Sequence, residues 1–118
     1  MPQVFVVSKS VHDYSAAKDF GELVYLSEGP FDRFATSAIA RIFNEKLARS
    51  MPEDYLLISG YTVMNCIASA IFAAMHKRVN LLLYRGKRYA ERVILLGNTG
   101  SNSSSVGISG SCNEEVSL

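Results

Sequence analysis

Two short stretches carry the side chains best suited to chemistry. The first is Ser8-Lys9-Ser10-Val11-His12-Asp13, which offers hydroxyls, a cation, an imidazole and a carboxylate. The second is Ser59-Gly60-Tyr61-Thr62, with Asn65 one turn further along. Each follows an apolar run of strand character. The second turns at once into a helical pattern. A helix N-terminus presents free backbone N–H groups and a positive dipole end, which together favour a phosphate or carboxylate. Ser8, Lys9, Ser10, Asp13, Ser59, Gly60, Tyr61, Thr62 and Asn65 therefore form a candidate site for a nucleotide-like or other anionic small ligand. An imidazole is the side chain best suited to general-base work near neutral pH, which singles out His12 as the catalytic candidate. Phosphoester hydrolysis or transfer is the reaction such a site would serve in an enzyme, although no activated nucleophile stands beside His12 in the sequence.

Plainer roles compete with these. Ser59 and Gly60 also suit a simple helix start, Asn65 an internal hydrogen bond, and Asp13 a helix cap. The spacing matches no phosphate-binding P-loop, which needs a longer glycine loop ending in Lys-Ser or Lys-Thr. It matches no three-glycine dinucleotide fingerprint either. The two histidines and two cysteines are far apart, so no metal site is expected and no cofactor is implied.

A third group is basic. Residues 76–92 hold Lys77, Arg78, Arg85, Lys87, Arg88 and Arg92 against Glu91 alone, half of the 12 basic residues in the chain. Arg85, Lys87 and Arg88 lie at a turn flanked by Tyr84 and Tyr89. Basic side chains beside aromatic ones suit phosphates and stacked bases, an alternative nucleic-acid function. The competing reading is a charged hairpin that protects a sheet edge from pairing.

The elements that must position these groups follow from periodicity. Gln3 to Ser8, Glu22 to Ser27, Asp54 to Ser59 and Val79 to Tyr84 are apolar or β-branched runs of strand type, and Tyr89 to Leu96 returns from the basic turn as a fifth. Asp13 caps a short helix over Tyr14 to Phe20, closed by Gly21. Pro30 suits a helix start, and Phe31, Phe34, Ala35, Ala38, Ile39, Ile42, Phe43 and Leu47 then fall at amphipathic helix spacing. Tyr61 to His76 is a second long helix, apolar almost all round. Such a helix is buried on more than one side, so a homo-oligomer through 61–76 is expected, and a non-catalytic homodimer is the rival function. Strands alternating with crossovers imply a three-layer, Rossmann-like α/β domain. Its mostly parallel five-stranded sheet takes the order 2-1-3-4-5, with a C-terminal antiparallel hairpin. That order sets strands one and three side by side and brings the two loops together.

The 118 residues suffice for one domain, assigned to 1–96. Residues 97–118 hold seven serines, four glycines and three asparagines and read as a disordered tail. A net charge of +1 argues for neither a polyanionic nor an acidic partner for the chain as a whole. Cys66 falls in the apolar helix and Cys112 in the tail, so both read as free thiols. With no signal peptide and no spanning segment, the expected location is cytoplasmic, host cytoplasm if the source is viral.

His12-Asp13-Tyr14-Ser15-Ala16-Ala17, Phe20-Gly21-Glu22-Leu23 and Asp54 to Gly60 with the helix and hairpin after it resemble small uncharacterised α/β proteins of phages and other viruses. The resemblance spans residues 3–96. It implies the fold, carries no activity and transfers no functional residue.

Overall fold

In the computed structural model, which describes residues 2–10 and 12–97, strands and helices alternate as the periodicity predicts. The elements are β1 (Gln3–Val6), a 3-10 helix (Ser15–Asp19), β2 (Glu22–Tyr25), α1 (Thr36–Leu47), β3 (Tyr55–Leu57), α2 (Thr62–His76), β4 (Arg78–Arg85) and β5 (Arg88–Leu95). They build one mixed sheet of order β2-β1-β3-β4-β5. All neighbours run parallel except β4 and β5, which pair antiparallel.

The two-residue alternation of a strand divides this sheet into two faces. Phe5, Val7, Leu26, Leu56 and Val79 pack with Ile39, Phe43 and Leu47 of α1 and Met64, Ala68 and Phe72 of α2. The intervening Val4, Val6, Leu57 and Leu82 face the other way and pack with Tyr14 and Ala17. Both long helices thus cover one face, and the second face has only the 3-10 helix and its flanks. That thin layer leaves room for a cavity beside it.

Local structure sharpens three expectations. The short helix after Asp13 is of 3-10 type, over Ser15–Asp19. Its bonds run from Ala17 N–H to the Tyr14 carbonyl (2.9 Å) and from Phe20 N–H to the Ala17 carbonyl (2.9 Å). The Asp13 carboxylate accepts the Ser15 N–H at 2.9 Å from one residue before the expected cap position, and Tyr14 is the N-cap. Helix α1 begins at Thr36 and not at Pro30. Asp32 diverts the chain, because its carboxylate accepts the Phe34 N–H at 2.9 Å and its carbonyl the Ala35 N–H at 3.0 Å. Phe31 still reaches the core, but Phe34 is left 79% exposed. Finally, within one chain α2 keeps an uncovered face, where the apolar pattern leads one to expect a subunit contact. Cys66, Ala70, Ala74 and Met75 are exposed, so the cysteine expected in the core lies on the surface. The predicted tail lies, beyond Gly97, outside the described residues.

A buried polar knot ties the N-terminal edge of the sheet. The Asp54 carboxylate accepts the Gln3 N–H (2.8 Å) and the Met51 N–H (2.7 Å). Asn80 donates to the carbonyls of Pro52 (2.7 Å) and Asp54 (2.8 Å) and accepts from Arg78 (2.9 Å). These bonds set β1, β3 and β4 in register at the end remote from the two candidate loops.

Candidate functional site

At the C-terminal edge, β1 and β3 end side by side, and a reciprocal pair of hydrogen bonds joins them. Ser8 N–H donates to Ser59 Oγ at 3.1 Å, and the same hydroxyl donates to the Ser8 carbonyl at 3.0 Å. Asn65 closes the turn that follows. Its Oδ1 accepts the Ser59 N–H (3.1 Å), and its Nδ2 donates to the carbonyls of Ser59 (3.0 Å) and Tyr61 (2.9 Å). The hydrogen-bonding groups of Ser59 and Asn65 are therefore engaged in building the turn. Gly60 has φ +79°, and a Cβ there would lie 2.6 Å from Ser8 Cβ. Its missing side chain lets the turn close onto Ser8.

This turn forms one wall of a cavity of about 310 Å³ on the thinly covered face. His12, Asp13 and Tyr14 form a second wall, and Tyr84 and Tyr89 form a third. The tyrosines are cross-strand partners in the β4–β5 hairpin, with ring centroids 5.3 Å apart. Tyr14 is fixed by its hydroxyl, which donates to the Ser8 carbonyl at 3.1 Å and lies 2.9 Å from Ser10 Oγ. Burial raises the Tyr89 hydroxyl above the ordinary phenol range, and the nearby Tyr14, Tyr84 and Asp13 add to it, so it stays a neutral phenol able to donate or accept. The Ser15 backbone N–H, helped by the Ser15 hydroxyl and the Lys18 charge, holds the Asp13 carboxyl below its usual range. The site thus presents an ionised carboxylate, an imidazole, phenols and two aromatic faces.

On the far side of the 12–14 segment lies a smaller recess of about 170 Å³. His12, Asp13 and Tyr14 line it too, and Lys9, Ser10, Ser15 and Lys18 join them. Lys9 Nζ sits 3.6 Å from the Glu28 carboxylate and 5.0 Å from the centroid of the Tyr25 ring. The predicted set is thereby divided. His12, Asp13, Ser59 and Gly60 share the larger cavity, Lys9 and Ser10 the adjoining recess, while Ser8 acts through its backbone. Tyr61 and Thr62 line a different cleft with Arg33 and Phe34. In the sequence, Tyr84 and Tyr89 stand out only as neighbours of the basic turn. Their part in the cavity comes from strand pairing across the sheet.

The hairpin turn is Gly86-Lys87 with φ of 59° and 71°, the left-handed pair that suits a two-residue hairpin. Alternation places Arg85 and Arg88 on the face opposite Tyr84 and Tyr89, and the register sets the two arginines directly across from each other. Aromatic and cationic groups that are interleaved in sequence are therefore separated by the sheet. No cluster of metal-ligating side chains occurs among the described residues. No helix among them is long and apolar enough to cross a membrane.

Fold and site define a small α/β protein with a five-stranded mixed sheet and an aromatic-walled cavity at its C-terminal edge. Residues 2–95 match the model of the phage Pam3 gp32-like protein family, and the chain belongs to that family. The resemblance to phage proteins is thus borne out. No curated protein and no solved structure matches the chain.

Proposed function

We propose that the protein binds a nucleotide-like ligand across the two adjoining hollows, the ring against Tyr84 and Tyr89 and the phosphate toward Lys9 and Lys18. The observation that carries this reading is the shared wall of His12, Asp13 and Tyr14, with aromatic faces on one side and two lysines on the other. Stacking on an aromatic side chain contributes about 1–3 kcal/mol per base. Asp13 accepts from an exocyclic amine, and Gly60 offers backbone to the ring edge. His12, on the wall between ring and phosphate, is the residue placed for proton transfer if the bound phosphoester is also turned over.

Isothermal titration against the four ribonucleoside monophosphates and the matching nucleosides tests the reading. Tyr84 is 62% exposed, so Tyr84→Ala leaves the fold intact and weakens every ligand by roughly tenfold, the loss of about one stacking contact. Lys9→Ala with Lys18→Ala weakens only the phosphorylated forms. Absence of binding at millimolar ligand, or binding indifferent to both variants, overturns it.

A second reading, homodimerisation through α2, is favoured by the exposed line Cys66, Ala70, Ala74 and Met75. Small residues four apart allow two helices to approach closely. Sedimentation equilibrium then gives a dimer that Ala70→Glu dissociates, whereas a monomer at high concentration excludes it.

A further inference from the structure

On the helix-covered side, Arg33, Phe34, Thr36, Tyr61, Thr62 and Val63 line an open cleft of about 380 Å³ that shares no residue with the two hollows described above. Phe34 occupies a position that fits the apolar stripe of α1, yet the Asp32 turn expels it to 79% exposure. Burying a phenylalanine side chain is worth about 1.5–3 kcal/mol, and this fold forgoes it. Tyr61 is also open, at 48% exposure. The Arg33 guanidinium carbon lies 5.3 Å from the centre of the Phe34 ring and 4.9 Å from that of Tyr61. Contact with two rings orients the guanidinium while leaving its N–H groups available. Among the described residues the one ion pair is Lys9 with Glu28, so Arg33 meets no carboxylate there.

We propose that this cleft docks a short segment of a partner protein carrying an acidic residue next to a large apolar one. Charge complementarity selects the occupant. A guanidinium already oriented by stacking takes a carboxylate through two parallel hydrogen bonds, and the flanking rings take the apolar neighbour. Arginine, tyrosine and exposed aromatic side chains are also the residues that dominate protein interfaces. The openness of the cleft favours a segment anchored by a larger partner, because a small molecule would leave most of its surface in water.

Selection of a displayed random heptapeptide library on the full chain tests the proposal, with parallel selections on Arg33→Gln and Phe34→Ala. Both side chains are exposed, so the variants keep the parent's melting behaviour. The expected result is enrichment of heptapeptides with Asp or Glu beside Phe, Tyr, Leu or Ile. A synthetic copy then binds the parent chain and loses at least tenfold in affinity in each variant, while Tyr84→Ala binds it normally. No enrichment, or enriched peptides retained equally by both variants, overturns the proposal. Self-association of the parent that Phe34→Ala abolishes, without peptide binding, also overturns it and assigns the cleft to a second copy.

Discussion

Gly60→Ala lowers the melting temperature by roughly 12–24 °C, the shift that a loss on the order of 3 kcal/mol produces in a domain of about 100 residues. Two costs combine. A residue with a Cβ at φ +79° is strained by about 1–2 kcal/mol. The new methyl also meets Ser8 Cβ at 2.6 Å and Ser8 Oγ at 2.9 Å, so the β1 end or the turn must shift, an overpacking cost of about 1–3 kcal/mol. Gly86→Ala separates the two. Gly86 has φ +59° with nothing within 4 Å of the added Cβ, so it shows the strain alone. Combining Ser8→Gly with Gly60→Ala removes the clash but not the strain, so the double variant is more stable than the sum of the single effects predicts. Thermal melts of the parent, Ser8→Gly, Gly60→Ala and the double variant check this, and strict additivity refutes the close approach. The glycine acts on folding before it acts on any ligand, whereas the 62% exposed Tyr84 acts on binding alone.

The expected sheet order and the two-sided burial of the strands were legible because apolar runs and crossovers constrain them directly. The pairing of Ser8 with Ser59 follows from the same topology. Other features depend on partners distant in sequence. Tyr84 and Tyr89 reach the His12 to Tyr14 wall only because β4 pairs with β3 and the hairpin folds beside it. Periodicity alone extended α1 back to Pro30, since Phe31 and Phe34 fit the stripe. The Asp32 side chain competes locally for the Phe34 N–H and delays the helix start to Thr36. The same competition exposes Phe34 and creates the cleft with Arg33. Local hydrogen bonding here overrides a global hydrophobic pattern, and such conflicts tend to mark functional surfaces. For α2, the apolar residues one chain leaves uncovered are mostly small, Cys66, Ala70 and Ala74, with Met75 at the end of the line.

The polar knot at the opposite edge is the feature least visible in sequence, and its removal has the other large effect. Asp54→Ala costs about 2–4 kcal/mol. Asp54 is buried, and each carboxylate oxygen accepts one backbone N–H, from Gln3 and from Met51. Alanine leaves both donors without this partner: at the partly buried Gln3 the orphaned N–H costs about 1–3 kcal/mol, and at Met51, which is 52% exposed, water offsets most of the loss. Asp54→Asn keeps one acceptor oxygen and turns an amide donor toward the other N–H, so its loss is intermediate. Asn80→Ala releases the carbonyls of Pro52 and Asp54, and its effect combines less than additively with Asp54→Ala because the two side chains brace the same segment. Urea unfolding gives the free energies, and hydrogen exchange locates them. The Gln3 and Met51 amides lose protection in Asp54→Ala well before the core of α2. A loss below about 1 kcal/mol, or protection unchanged at Gln3, refutes the assignment. Because the knot lies at the far end of β1 and β3, ligand affinity of the folded variant stays at the parent value. Stability and binding are therefore separable along the length of the same two strands: Asp54 holds one end in register, and the other end carries the turn that walls the cavity.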